Sequence, residues 1–351
     1  MKLLFYLVFA FVHLLASVTR AEQAAPIELI IAVGAGGAPE YEQSFREWGE
    51  RWQRLGEIAR ANTTVIGLSP KSETSDLDQF KTAITAKKTK TDTALVIVLI
   101  GHGTHLKQSS KFNLRGPDLS DQDMAAWLND ATRPIAIVQN ASASGPFLKS
   151  LASANRIVIT ATRSGNEQNY ARFGDFFSNA LTNSEADLDH DDAISMLEAF
   201  LFASNRVARF YDQESRLATE HSLLDDNGDG LGTPANFFRG IRAVKSAKDN
   251  VALDGMRSHQ VILFQLPGHV SLPESVRAQR DALERQINQL RLQKKKLGEE
   301  AYYLALEPLM LQLARLYHPE EADASASDNA SVEESTSSET VENDTQPPTD
   351  P

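Results

Sequence analysis

The chain predicts an α/β fold, a mainly parallel sheet with helices on both faces. Three observations predict it. Between Ile27 and Gly240, short apolar runs alternate with amphipathic stretches. Those runs are continuously apolar, as in strands covered on both sides. The chain also combines 42% hydrophobic residues with no cysteine, so a large core rather than disulfides must hold it together.

The run 27–33 (IELIIAV) predicts a buried strand, and Gly34, Gly36 and Gly37 follow it as a turn. Residues 41–60 place Phe45, Trp48, Trp52 and Leu55 at helical spacing on one face. A short strand over 63–68 and a helix over 77–86 come next. The run 95–100 (LVIVLI) is the strongest strand signal in the chain. Residues 121–130 predict a helix with Ser120 as its N-cap. Two further buried strands lie at 135–138 and 156–160, and a long helix at 193–211. The stretch 240–266 is less regular and holds one more apolar run, 261–265, before Pro267. The α/β domain is therefore expected to span 27–270.

The two ends differ in character. Lys2, an apolar run over 3–15 broken only by His13, and a small-residue site at Ala21 predict a signal peptide over 1–21. The run falls short of the ~20 residues of a bilayer span; the alternative is an uncleaved anchor reaching Val18. The expectation is an exported protein, periplasmic or secreted, with no membrane span after signal cleavage. From Glu274, Val276, Leu283, Leu290, Leu297 and Leu304 recur every seven residues, with Ile287 and Ala301 at the complementary position and Lys294 interrupting. Two readings of 274–317 stay open: an amphipathic helix folded back on the domain, or a coiled coil that self-associates or docks a partner through 276–304. Lys294 and Gly298 weaken the seam. Beyond Pro319 the chain is rich in Ser, Thr and acids, without Lys or Arg. Residues 319–351 are expected to be a disordered acidic tail.

Composition excludes several functions. Without cysteine there is no thiolate metal site and no thiol nucleophile. The net charge of -12 is concentrated in the tail. No basic face points to nucleic acid.

Chemistry concentrates in two places. Gly101-His102-Gly103-Thr104-His105 closes the strongest strand, and Ala141-Ser142-Ala143-Ser144-Gly145 closes the next parallel one. Adjacent parallel strands present their carboxyl ends at one edge, where ligands of open α/β sheets gather. The pair resembles the caspase-like clan, most closely its legumain-type branch, over roughly 27–240. That resemblance implies a His-Gly supplying the general base and an oxyanion-hole amide, here His102 and Gly103. It implies a Cys in Cys-x-Ser-Gly as nucleophile, and Ser142 stands at that position ahead of Ser144-Gly145. The run ITATRSGNEQN (159–169) also resembles a subgroup of exported bacterial proteins of unassigned function. In the clan this region walls the substrate pocket, which makes Ser144 and Arg163 pocket candidates.

The Ser for Cys exchange shifts the expected function. A thiol is partly ionised near neutral pH, whereas a Ser hydroxyl needs an aligned base. The sequence offers no acid to orient His102. The leading reading is a catalytically inactive peptidase homologue that binds a peptide or protein partner. The alternatives are a Ser-His hydrolase using Ser142 and His102, and a scaffold acting through its C-terminal helix.

The second place is acidic. Residues 187–198 match the twelve-residue EF-hand loop: Asp187, Asp189 and Asp191 at positions 1, 3 and 5, the Ala193 carbonyl at 7, Ser195 at 9 and Glu198 at 12. Asp192 replaces the usual Gly at position 6. Ca²⁺ is the expected ion, and an acidic helix cap is the alternative. Asp225, Asn227 and Asp229, followed by Gly230, begin a second and weaker match, which carries Asn236 rather than Glu at position 12.

Overall fold

The structure is a computed structural model that describes residues 27–70, 72–89, 93–245, 253–265 and 273–317. The expected signal peptide and acidic tail lie outside the described residues. The chain divides into two units at Ser271/Leu272.

In the first unit, five parallel strands and one antiparallel strand form a sheet. The parallel strands are β1 (Glu28–Val33), β2 (Asn62–Ile66), β3 (Leu95–Ile100), β7 (Ile135–Gln139) and β8 (Arg156–Thr160). A small antiparallel sheet of β4 (Gly103–Leu106), β5 (Ser109–Phe112) and β6 (Leu119–Ser120) branches off after β3. The sixth member of the main sheet is β10 (Leu223–Asp225), antiparallel to β8. The order is β10-β8-β7-β3-β1-β2. The fold class is as the apolar runs predict: α/β, with a mainly parallel sheet covered by helices.

The runs are uniformly apolar because both faces are buried. Leu29, Ile31 and Val33 of β1 point into one core with Val96, Val98 and Ile100 of β3. Helices α1 (Pro39–Ile58), α5 (Phe173–Ala180) and α6 (Met196–Gln213) close that side with Trp48, Trp52, Phe177 and Phe200. Ile30 and Ala32 point the other way, to Ile97 and Leu99. There α2 (Asp76–Lys87), α3 (Asp121–Leu128) and α4 (Gly145–Leu151) supply Phe80, Ile84, Met124, Leu128 and Phe147. Burying one such side chain contributes about 1.5–3 kcal/mol. Ser120 caps α3 by accepting from the Asp123 N–H at 3.0 Å.

The less regular stretch resolves into small pieces. β9 (Ala193–Ser195) pairs antiparallel with β13 (Ile262–Gln265). Between them lie the ribbon of β11 (Phe238–Arg239) and β12 (Arg242–Ala243), and the short helix α7 (Met256–Gln260). The run 261–265 is thus a strand outside the main sheet.

Among the described residues the second unit holds α8 (Glu274–Leu297) and α9 (Glu299–Tyr317), lying antiparallel. Lys294, late in α8, reaches the rings of Tyr302 and Tyr303, and Arg280, early in α8, feels the Tyr317 phenol. Gly298 separates the helices with φ 80°, a value that favours glycine. The heptad seam therefore does not run through 276–304 as one helix. Leu283 and Ile287 are buried, whereas Leu297 and Leu304 are exposed.

Candidate functional site

His102 and Gly103 follow β3, and Ser142 follows β7, so the parallel pairing of these strands carries both motifs to one sheet edge. Their side chains are not coupled as a nucleophile and base. The His102 ring N–H donates to the Gly36 carbonyl. Its ring meets those of Tyr41 and Phe45 edge-on, each at 4.9 Å. Burial lowers its pKa from the ordinary 6.5, which keeps it neutral at pH 7.

Ser142 is 2% exposed. Its Oγ accepts from the Gly103 main-chain N–H at 3.1 Å and donates to the Gly103 carbonyl at 3.2 Å. The amide that the resemblance assigns to an oxyanion is thus bonded to the hydroxyl itself. Gly103 is required by close approach: a Cβ there would lie 2.2 Å from the Ser142 carbonyl oxygen.

The turn between Ser142 and Ser144 is held from outside. Ala143 has φ 51°, a left-handed conformation that costs a non-glycine residue about 1–2 kcal/mol. Its N–H donates to the Glu167 carbonyl at 2.7 Å, and its own carbonyl accepts from Ser110 Oγ at 3.3 Å. Ser144 was expected to wall a pocket, but it is buried. It bonds Thr162 Oγ1 at 3.0 Å and accepts from the Thr162 N–H. That fastens the turn to the end of β8.

Arg163 is exposed, and its guanidinium pairs with Glu167 at 3.2 Å. The same carboxylate bonds the His221 ring at 2.6 Å and the main-chain N–H groups of Arg163 and His221. Glu167 is therefore the hub joining the run 159–169 to the approach to β10. Sequence reasoning missed it, because its partners lie up to 54 residues away.

Also missed was a cavity of about 380 Å³ beside His102. Tyr41, Ser44, Asn169, Tyr170, Arg172 and Arg216 contribute to its lining. Tyr41 touches both the cavity and the His102 ring. Glu220 fixes two of the lining residues, Arg172 and Tyr211. Its buried carboxylate accepts from the N–H groups of Arg172 and Phe173 at 2.8 and 3.0 Å, and from the Tyr211 hydroxyl. It thereby stabilises the N-terminal turn of α5 from a distant loop. Burial holds Glu220 above its ordinary range.

In the acidic loop, carboxylate oxygens of Asp187, Asp189 and Asp191 come within 4.8 Å of one another. Asp187 accepts N–H groups of Asp191 and Asp192 at 3.2 and 3.0 Å, and Asp191 accepts that of Ala193 at 3.0 Å. Asp192 takes φ 60°, the turn that Gly normally makes at this position. Burial, then Glu198 and Asp191, push Asp189 up to about 7. His259 of α7 opposes that shift from 3.8 Å. Three converging carboxylates fit a hard, oxygen-seeking cation. Ser195 and Glu198 act differently. They form the capping box of α6, in which Glu198 Oε2 accepts from the Ser195 N–H and hydroxyl. Glu198 Oε1 accepts from the Leu188 N–H at 2.8 Å.

The second loop repeats the pattern. Asp225 accepts from Gly228 and Gly230, Asn227 from Asp229, and Asp229 from Leu231. Asp226 caps α7 by accepting from Gly255 and Ser258, and Asp254 returns the contact by accepting the N–H groups of Asp226 and Asn227.

No family model and no curated protein sequence matches the chain. Among solved structures it is similar to the Drosophila initiator caspase Dronc, at 12% identity over 62% of this chain and 88% of that one, with a TM-score of 0.39. It is also similar to Raptor of Chaetomium thermophilum, at 14% identity over 55% of this chain and 19% of that one, with a TM-score of 0.32.

Proposed function

We propose that the chain is an exported, caspase/legumain-like peptidase homologue that binds a peptide or protein partner without cleaving it. One observation carries this reading: the Ser142 hydroxyl is buried and bonded both ways to the Gly103 backbone, apart from the His102 ring. A Ser nucleophile needs a base in hydrogen-bond reach and a third group to orient that base. Here the base is bonded to a carbonyl and the hydroxyl to an amide. Both loops remain at the carboxyl edge of the sheet, beside a cavity large enough for a few side chains. A binding role uses that edge without needing the missing proton transfer.

Ca²⁺ is part of the proposal. Asp187, Asp189 and Asp191 would hold it with the Ala193 carbonyl, and its charge would offset the burial and the neighbouring carboxylates that raise Asp189. Its role is to fix the entry to α6.

The test is labelling with a fluorophosphonate probe in the presence of Ca²⁺. No label on the folded chain is expected. A label on Ser142 that disappears in Ser142→Ala would replace this reading with a Ser-His hydrolase. A contact made through the helical pair is favoured by the exposed Leu292, Leu297, Leu304 and Leu311. Sedimentation of the full chain against a Leu297→Glu/Leu304→Glu variant tests it, and a monomer in both excludes self-association there.

A further inference from the structure

The ribbon of β11 and β12 sets two arginines face to face. Its register pairs Arg239 with Arg242 and Phe238 with Ala243. Gly240 and Ile241 close the turn, and Gly240 takes φ 54°, the positive value that glycine supplies in a two-residue hairpin turn. Residues directly opposed across antiparallel strands share a face. Phe238 and Ile241 pack against the core, with the Phe238 ring close against Gly255. Arg239 and Arg242 project outward and are exposed. One step back, the Val244 N–H donates to the Phe237 carbonyl at 2.8 Å, so Phe237 and Val244 continue the arginines' face. Val244 is half exposed, and the Lys245 ammonium sits over the Phe237 ring at 5.4 Å. β10 runs antiparallel to β8, so the chain after it leaves toward the amino ends of the parallel strands, opposite the edge that carries His102 and Ser142.

Like charges directly opposed on a ribbon destabilise it, and an anion between them offsets that cost. Among the described residues Arg239, Arg242 and Lys245 form no salt bridge, whereas Arg51, Arg115, Arg163 and Arg206 each pair with a carboxylate. Asp226 and Asp254, next to Gly255 at the base of the ribbon, are buried and accept main-chain N–H groups. The arginine pair and the Lys245/Phe237 site lie one two-residue step apart along the ribbon, about 7 Å, and an extended peptide repeats its side chains on one face at the same step. Two guanidinium forks are suited to carboxylates. Three cations also fall short of the four to eight, roughly, that mark a segment binding anionic lipid. We propose that the outer face of this ribbon docks an acidic segment of a protein partner, extended and with carboxylates on alternate residues, Arg239 and Arg242 holding one and Lys245 the next. It is a second contact for a binding protein, and it does not require the His102 edge.

The experiment follows the fluorescence anisotropy of three labelled peptide amides with the full chain: Glu-Ser-Glu-Ser-Glu, Glu-Glu-Glu-Ser-Ser and Gln-Ser-Gln-Ser-Gln. The alternating Glu peptide is expected to bind about ten-fold or more tightly than the Gln peptide, and to weaken as salt is raised. That preference should vanish in the double variant Arg239→Gln/Arg242→Gln and shrink in Lys245→Gln. It should persist in Arg216→Gln, an exposed cation of the cavity beside His102. Both ribbon arginines are exposed, so the double variant should melt no lower than the wild type, and its lost binding then reports the ribbon rather than unfolding. Binding that depends on Arg216 and ignores the ribbon arginines overturns this surface while leaving peptide binding at the sheet edge intact. Equal binding of the alternating Glu and Gln peptides overturns the acidic partner, and equal binding of the two Glu peptides overturns the extended register. Capture by phosphatidylglycerol vesicles that depends on the ribbon arginines, with no preference among the peptides, replaces the protein partner with a lipid surface.

Discussion

Ser142 Oγ lies 3.1 Å from the Gly103 amide nitrogen and 3.2 Å from the Gly103 carbonyl oxygen, so one hydroxyl closes both backbone groups of one glycine. This turns the hydroxyl from a reagent into a brace between the ends of β3 and β7. Replacing it by a thiol tests the brace. Ser142→Cys should alkylate with iodoacetamide at least ten-fold more slowly in the native chain than in urea, because burial suppresses the thiolate. Ser142→Ala should fold and lose about 1–3 kcal/mol, the cost of leaving the buried backbone groups of Gly103 without their hydroxyl partner. Fast native alkylation would mean that the site is open.

The acidic loop predicts a cation effect. Millimolar Ca²⁺ should raise the melting temperature of the wild-type chain. Saturation a hundred-fold above Kd adds about 2.7 kcal/mol. Asp189→Asn should abolish the increase, because Asp189 is one of the three converging carboxylates. Glu198→Gln separates two roles. It weakens the α6 capping box without Ca²⁺, typically by about 1 kcal/mol, and also removes the ion effect if Glu198 is a ligand. Identical melts with and without Ca²⁺ in the wild type would remove the ion from the account.

A third prediction concerns Asp254, which is pushed up to about 7, first by burial and then by Asp226 and Asp225. The sign follows from linkage. A carboxylate with a raised folded pKa contributes stability below its unfolded value near 3.8, and loses it as pH rises through about 7. The chain should therefore melt higher at pH 5.5 than at pH 8, measured without Ca²⁺. Asp254→Asn should reduce that difference, because an amide does not titrate, while Asp189 keeps its own share. An undiminished pH difference in the variant would assign the effect to other groups.

Gly298 supplies the fourth. Its φ of 80° lets α8 end and α9 turn back, and an alanine is strained there. Gly298→Ala should destabilise the helical pair by about 1–2 kcal/mol. It should also favour one continuous helix, in which Leu297 and Leu304 rejoin the heptad seam. Sedimentation should then detect a larger species than the wild type. A variant as stable and as small as the wild type would show that the turn does not depend on glycine.

How much of this was legible depends on where the partners lie. The strands at 27–33, 95–100, 135–138 and 156–160 were readable because burial on both faces writes an unbroken apolar run into the chain. Their neighbours in space could be expected from parallel α/β logic, which also placed His102 and Ser142 at one edge. β10 was not legible: three residues ahead of an acidic loop carry no run. The small sheet of β4 to β6 was missed because it mixes buried and exposed positions over very short strands. The acidic loop was recognisable as ligand types at fixed spacing, yet Glu198 also satisfies a capping box, and both readings use the same residues. The cavity was invisible because Tyr41, Arg172 and Arg216 come from three separated segments. Only the meeting of α1, the start of α5 and the end of α6 assembles it.

The ends of the sheet bear on how the molecule behaves among copies of itself. Open strand edges are templates for intermolecular pairing, the first step toward aggregates. Here one edge, β2, is five residues long and begins with Asn-Thr-Thr, and the other, β10, is three. Leu224 already exchanges hydrogen bonds with Thr233 on the outer side of β10. Neither rim offers a long, flat, apolar ladder. The fold therefore keeps its intensely hydrophobic middle strands internal and presents neighbours with stubs too short to extend.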